Sequence, residues 1–533
     1  METNKGLAFS RYEALQKYKT EVLKRAREAA ALTIPHLMPK EGHTASSILP
    51  TPYQSIGARG VRNLASKLLL TLFPPHTPFF KYSVDDFTIE QIEAEAGQLG
   101  RGEIEKALNR RERAVMKELE ASFFRTAGFE ALRQLLIAGN VLIHIPEEGM
   151  AQVFRLTNYN VKRDPMGVVL EIVLKQSFSP ASLPDNAKAA LTTETKSQMM
   201  TGDDPTVELY TYIRRTNKGK YEAFQEIEGT RLAGTTNIYT EDTLPWKALR
   251  LTKIDGEDYG RGYVEEYLGD LISLEGLSQT ILEGSAVIAK VVTLVSPNGV
   301  TQARDVAQAE NGAVISGNPD DVKILQAEKR ADLSVAQQQI QELQSRLAFA
   351  FLLNTAIQRN GERVTAEEVR YMAQELEDGL GGMYSLMAHE FQLPMVKLYE
   401  KRMERNNNVP PLPKDLASPA IVTGIDALGR GQDLKNLDGF LVGLGQTFGP
   451  EVIGRYIQLG EAIKRRGVAM GIDMTGLVKT DEEVAQAEQQ AQMQDLATNL
   501  GPQAIQAFAM TQGKQQDNET KLAVEAAKQE GKK

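Results

Sequence analysis

The sequence predicts an α+β chain that is mainly helical. Leu333, Ala336, Ile340, Leu343, Leu347 and Ala350 recur at alternating steps of three and four, the seam of a long packed helix. The stretch YVEEYLGDLISLEGLSQTILEGSAVIAK, from Tyr263, is a second helical pattern whose roughly 27 residues would span about 40 Å. Between 141 and 227, β-branched and aromatic runs alternate with turn-forming residues, as antiparallel hairpins require.

The chain has 533 residues, enough for about three or four domains. Its 42% hydrophobic and 25% charged residues are ordinary for a folded protein. It has no cysteine, which excludes disulfides and cysteine-ligated metals and fits a reducing compartment. A net charge of −9 argues against a surface coated for nucleic acid and leaves room for a local basic site. The beginning, METNKGLAFSRYEALQKYK, lacks the basic-then-apolar order of a signal segment. No apolar run approaches the ~20 residues of a membrane span, so no membrane partner is expected.

In chain order, residues 11–31 read as one polar helix, followed by a proline-punctuated loop. Val61, Leu64, Leu68 and Leu72 share one face of a helix that Pro74-Pro75 stops. A long amphipathic helix is expected over about 100–138, ending near Gly139-Asn140. VLIHIP (141–146), QVFRL (152–156) and VVLEIVLKQSF (168–178) read as strands, with hairpin-turn chemistry at Asp164–Gly167. VELYTYIRRT and YEAFQEI form a second hairpin around NKGK. After the helix from Tyr263, VVTLVSPNGV is a β-branched run closed by Pro297-Asn298-Gly299. AVISGNPDDVKIL (313–325) then reads as two short strands around Gly317–Asp320. The second long helix begins near Asp332, so a small β module caps a two-helix stalk. A short loop, IQRNGER, follows, then a helix opened by a capping box between Thr365 and Glu368. Val369, Met372, Leu376, Leu380, Met383 and Met387 line that helix's face. Pro410–Pro413 breaks the chain, further helices run to about 480, and a polar tail ends it.

No catalytic constellation is present. There is no Walker-type phosphate loop, and TGIDALGRGQDL (423–434) reads as helix punctuation outside a strand–turn–helix frame. The five histidines show no metal-ligand spacing, and His144 reads as structural. Metal, cofactor and enzymatic activity are therefore not expected. The mixed charges of Arg110, Arg111, Glu112 and Arg113 read as a solvated helix face or a subunit contact.

Several stretches resemble the portal proteins, or head-to-tail connectors, of short-tailed bacteriophages. They include TPYQSIGARGVRNLASKLLLTLFP, FEALRQLLIAGNVLIHIPE, DGEDYGRGYVEEYLGDLISLEGL, NTAIQRNGERVTAEEVRYMAQELEDGLGG and TGIDALGRGQDL, colinear over most of 10–480. The resemblance implies a homo-oligomeric ring, usually of twelve, at one capsid vertex, through which double-stranded DNA enters and leaves. It implies a portal fold: wing, N-terminal part, 1–262; stem helices 263–291 and 332–353; clip 292–331; tunnel loop 354–364; tunnel-loop helix and wing, C-terminal part, 365–422; crown 423–500; tail 501–533. Arg359, Asn360 and Arg363 would line the DNA channel. Pro297, Asn298, Arg304, Asn318, Asp320 and Asp321 would present the clip to the terminase large subunit and a tail adaptor protein. Major capsid and scaffolding proteins are the other implied partners. Alternatively, both arginines pair with Glu362, Glu367 or a neighbouring copy. The competing class is a structural or internal virion protein that binds no DNA.

Overall fold

The computed structural model describes residues 6–44, 46–75, 78–84, 98–200, 205–289, 292–325, 330–353, 376, 379–410, 417–421 and 429–449, with 457, 460, 462, 463 and 466.

The helix expected over 11–31 is two, α1 (Leu7–Gln16) and α2 (Thr20–Ala31), joined by a 3-10 turn at Lys17–Lys19. Each half packs in a different place. Ala8, Tyr12 and Leu15 of α1 pack against strand residues Val173, Tyr210 and Phe224. Leu23, Ala26, Ala29 and Ala30 of α2 join the main core. One straight helix could not serve both. Lys19 sits at the joint, fully buried, and donates to the carbonyls of Leu156 (2.8 Å) and Tyr159 (2.6 Å).

Helix α3 (Ile56–Leu72) buries Val61, Leu64, Leu68 and Leu72, as their spacing predicts. Strand β1 (Phe80–Val84) follows. The long helix expected over 100–138 is broken into α4 (Gln98–Ala121) and α5 (Phe124–Ala138). The break is at Phe123, whose φ of 51° is left-handed and whose ring is exposed. It turns Phe124 into an aromatic cluster with Phe73 (5.1 Å) and Phe391 (5.8 Å). Gly139, at φ 69°, ends α5 where an added Cβ would lie 2.3 Å from the Arg261 backbone.

Strands β2 (Asn140–His144), β3 (Gln152–Phe154), β4 (Tyr159–Arg163) and β5 (Val169–Phe178) come next. The turn expected at Asp164–Gly167 joins β4 to β5. Asp164 accepts from Gly167 N (2.9 Å) on its carbonyl and from Val168 N (2.8 Å) on its carboxylate, and Gly167 has φ 93°. β4 was not expected, because its polar Asn160 breaks the apolar pattern. Asn160 is nevertheless buried and donates to the Tyr12 carbonyl of α1 (3.0 Å), a partner that only the fold supplies. After α6 (Asp185–Ala190) and α7 (Thr193–Met200) run β6 (Val207–Arg215), β7 (Tyr221–Ile227), β8 (Thr230–Arg231), β9 (Asn237–Tyr239) and β10 (Trp246–Arg250). One antiparallel sheet has the order β4-β5-β6-β7-β8, with β9 also on β7; a second has the order β10-β2-β3.

Then come α8 (Tyr263–Glu266) and α9 (Leu268–Ala289), one predicted helix with a break at Tyr267. They lead to β11 (Val292–Val295), α10 (Ala303–Gln308), β12 (Val322–Leu325) and α11 (Arg330–Ala350). Beyond the segment 354–375, α12 (Gly382–Met387) passes through a π-turn at Ala388–Gln392 into α13 (Leu393–Arg405). Pro394 explains the wide turn: it offers no N–H and crowds the carbonyl one turn back. β13 (Ala417–Ile421) pairs antiparallel with β1. The chain divides into two units, 1–427 and 428–533. The second holds α14 (Gly429–Phe448) and an Asp438–Arg466 ion pair of 3.2 Å.

Candidate functional site

Helices α9 and α11 pack along the predicted seam, with Leu271 and Leu274 facing the same core as Leu343 and Leu347. Ile340 and Leu277 lie partly buried at its margin. The outer faces are not covered: Ile272 and Leu282 on α9, and Val335 and Phe349 on α11, are more than half exposed. A helix apolar on more than one side expects a second cover.

The end of α11 is held firmly. Leu353 N donates to Ala348 O (2.8 Å) and Leu352 N to Phe349 O (3.1 Å), with Leu352 left-handed at φ 52°. This is a Schellman cap without glycine, which costs backbone strain. Side chains from elsewhere take the terminal carbonyls. Tyr263 donates to Ala350 O (2.8 Å), Asn63 to Phe351 O (3.1 Å) and Leu352 O (3.0 Å), and Lys67 to Leu352 O (3.0 Å). Phe351 is buried against Gly60, where an added Cβ would lie 2.5 Å from its ring. The point from which residues 354–364 depart is thus fixed, and Leu376 and Leu380 are buried on the returning side. Arg359, Asn360, Arg363 and the Thr365–Glu368 capping box lie outside the described residues. Asn63, Lys67 and Tyr263 were not expected at this root, since hydrophobic periodicity carries no sign of a distant carbonyl.

The tip between α9 and α11 pairs β11 with β12, Val295 opposite Val322. Its two expected strands in 313–325 reduce to one: Ala313–Ser316 forms no strand and is exposed. The helix α10 was not expected. Among the tip's described residues Thr301 is the buried one, and it organises the others. Asp321 accepts from Thr301 N (3.1 Å) and Oγ1 (3.1 Å), and Asn318 N donates to Thr301 Oγ1 (2.8 Å). The Asn318 side chain accepts from Asp320 N (3.2 Å). Of the residues expected to meet partners, Asn318 and Asp321 are therefore occupied in shaping the loop. Pro297, Asn298, Arg304 and Asp320 are exposed.

The motif DGEDYGRGYVEEY joins the sheets to the stalk. Asp258 accepts from Arg163 N (2.7 Å), and the Tyr259 hydroxyl accepts from Val161 N (3.0 Å). Gly260 N donates to the Asn140 side chain (2.8 Å), which donates back to Gly260 O (2.9 Å). Arg261 bridges Glu257 (3.0 Å) and Glu265 (2.9 Å). Arg111 is neither a solvated residue nor a free contact. It is buried, paired with Glu400 (2.6 Å) and Glu404, and donates to Pro410 O (2.6 Å), tying α4 to α13. His144 stacks on Trp246 (4.7 Å), and burial pushes its imidazole down to about 4. Among the described residues no His/Cys/Asp/Glu group could hold a metal, and no helix is long and apolar enough to cross a membrane. Of TGIDALGRGQDL, residues 423–428 lie outside the described residues and 429–434 open α14. β13, which precedes this stretch in the chain, pairs antiparallel with β1 and so is not a strand of a parallel βαβ phosphate frame.

The family model for "Bacteriophage head to tail connecting protein" matches residues 5–478. The chain belongs to that family. It is similar to the portal protein of Escherichia phage T7, 39% identical over 91% of each chain. It is also similar to that of Enterobacteria phage T3, 39% identical over 91% of this chain and 90% of the relative. With the portal protein of Enterobacteria phage SP6 it shares 30% identity over 93% of this chain and 95% of the relative. Among solved structures, a chain of a "Virion of native gene transfer agent (GTA) particle" aligns over 78% of this connector-family chain and 90% of its own. The TM-score is 0.31 at 11% identity, too low to bear on the fold. The family match takes in both stalk helices, the tip and the root.

Proposed function

We propose that this connector-family chain is a portal subunit: copies close into a ring at one vertex of a phage capsid, and the genome passes through the ring during packaging and ejection. The observation that carries this reading is the colinear identity of 39% over 91% of both chains with a portal protein. The two-helix stalk supports it, because its outer faces leave Ile272, Leu282, Val335 and Phe349 exposed in a single copy. A closed ring needs two different complementary faces on each copy.

Finer readings rest on the same footing. The ring has twelve copies. The tip, 292–331, receives the terminase large subunit and later a tail adaptor, through exposed residues such as Pro297, Asn298, Arg304 and Asp320. The rest of the ring meets major capsid and scaffolding proteins in the virion. Arg359 and Arg363 on 354–364, flanking Asn360, face DNA phosphates. A wall of net negative charge with one thin basic constriction lets duplex slide, whereas a uniformly basic wall would hold it by counterion release. Backbone contacts carry no base sequence, as a conduit for a whole genome requires.

The test is end-on imaging of purified protein together with packaging into capsids assembled with and without it. Rings with a central hole, and packaging that depends on them, are expected. Compact monomers, or packaging that is indifferent to the protein, overturn the reading.

A further inference from the structure

Residues 44–53, TASSILPTPY, carry no charge in a chain of net charge −9. Their described part, Thr44 and 46–53, lies without helix or strand between the buried Met38 and the buried Gln54. A turn at its start is closed internally: Ser47 N donates to Thr44 O (3.0 Å), and Thr44 N to the Ser47 hydroxyl (3.0 Å). Just after it stands Ile48, 95% exposed. The other end of the loop is anchored on the stalk. Tyr53 N (2.9 Å) and Gln54 N (3.2 Å) both donate to the Glu275 carboxylate on α9. Gln54 then fixes the return, donating to Leu32 O (2.6 Å) and accepting from Gly57 N (2.9 Å).

Glu275 shares its helix face with two uncovered apolar residues. Ile272 lies three residues before it, a surface neighbour. Leu282 lies seven after it, on nearly the same line and about 10 Å along the axis. Each is 55% exposed. From Tyr53 back to Ile48, the chain can reach about 17 Å. Yet within one copy Ile48 covers neither residue, although its root lies on their stripe.

We propose that residues 44–53 are an arm by which each copy grips the next, with Ile48 seated on the Ile272–Leu282 stripe of the adjacent copy's α9. This rests on the portal reading, since it needs repeated copies side by side. Charge favours it. Copies of net charge −9 repel, so their contacts should run through neutral surface. The arm is neutral, and so is GLSQTIL (276–282) on α9. The contact is heterologous, arm to stalk, so it propagates around a ring rather than closing a pair.

The absence of native cysteine allows a clean test. Ile48→Cys and Leu282→Cys chains are prepared separately, mixed, assembled and oxidised. A disulfide-linked dimer is expected from the mixture and from neither variant alone. The chain carrying both substitutions should give a ladder of linked oligomers. Ile48→Asp should leave the melting temperature of the single chain unchanged and raise the concentration for half-assembly about tenfold or more. If the unmodified chain forms no rings, the portal reading fails and the arm with it. If rings form but no linked dimer appears, or the doubly substituted chain closes a disulfide within one copy, the arm alone is overturned. Assembly unaffected by Ile48→Asp also overturns it.

Discussion

Arg111 illustrates how much a single side chain can hold. Its guanidinium is buried between two carboxylates and a backbone carbonyl, joining helices almost three hundred positions apart in sequence. Arg111→Ala would strip the buried Glu400 of its guanidinium partner and leave Glu404 only Lys401 (2.8 Å), at a cost of about 3–5 kcal/mol, visible as a lower denaturation midpoint. Replacing Arg111, Glu400 and Glu404 together with apolar residues should recover most of that loss. Lys19 gives a pH dependence. Burial pushes its ammonium down from 10.5 to about 7. Between those values the unfolded chain holds a proton that the folded chain has released. The contribution of Lys19 is therefore complete above 10.5 and is lost as pH falls toward about 7. Stability should rise from pH 7 to 9.5, and Lys19→Met should flatten that slope in parallel melts. Arg359 and Arg363, proposed to face DNA, call for a functional readout. Changing both to alanine should alter stability by under about 0.5 kcal/mol and leave rings intact. Retention of packaged genome should fall, with a reduced salt dependence of DNA contact. Thr365→Ala particles are the comparison, and normal retention in the double variant would leave the salt-bridge alternative in place.

At the scale of elements, the stalk and its tip behave differently. The seam of α9 and α11 was readable because Leu271, Leu274, Leu343 and Leu347 are buried within the chain itself, and burial leaves a period in the sequence. Among its described residues the tip buries Thr301 alone in one copy. Its connecting loop is shaped by hydrogen bonds around Thr301 and Asp321, which leave no period in the sequence, and the pattern at 313–316 suggested a strand that is absent. An exposed loop on a rigid support suits partner binding. Deleting 300–318 should leave rings intact while abolishing binding of the tail protein, measured by pull-down on assembled rings. Loss of rings together with binding would make the tip a subunit contact instead. The breaks at Phe123 and Lys17–Lys19 were illegible for a related reason: each redirects the chain to satisfy partners far away in sequence.

At the scale of the whole molecule, negative charge and uncovered apolar surface act against each other. Each copy repels the next, and assembly must overcome that through neutral, apolar contacts. The polar segment from about 501 has few large apolar residues beyond Leu500, Ile505 and Phe508, and lies outside the described residues. Truncation at Gly501 should leave the sedimentation of assembled rings unchanged, and failure to assemble would refute its dispensability. The sequence by itself determined the mixed fold class, the helix–module–helix order of 263–353, the turn at Asp164–Gly167, the hairpin of 207–227 and the family, because periodicity, turn chemistry and colinear motifs are local properties of a chain. Only the tertiary structure decided what the conspicuous polar residues do. Asp258, Tyr259 and Gly260 knit sheet to stalk, Asn63, Lys67 and Tyr263 cap α11, and Arg111 is a buried tie. Their partners are backbone atoms and carboxylates brought near by folding, and a hydrogen bond to a distant carbonyl leaves no repeat in the sequence from which it could be read.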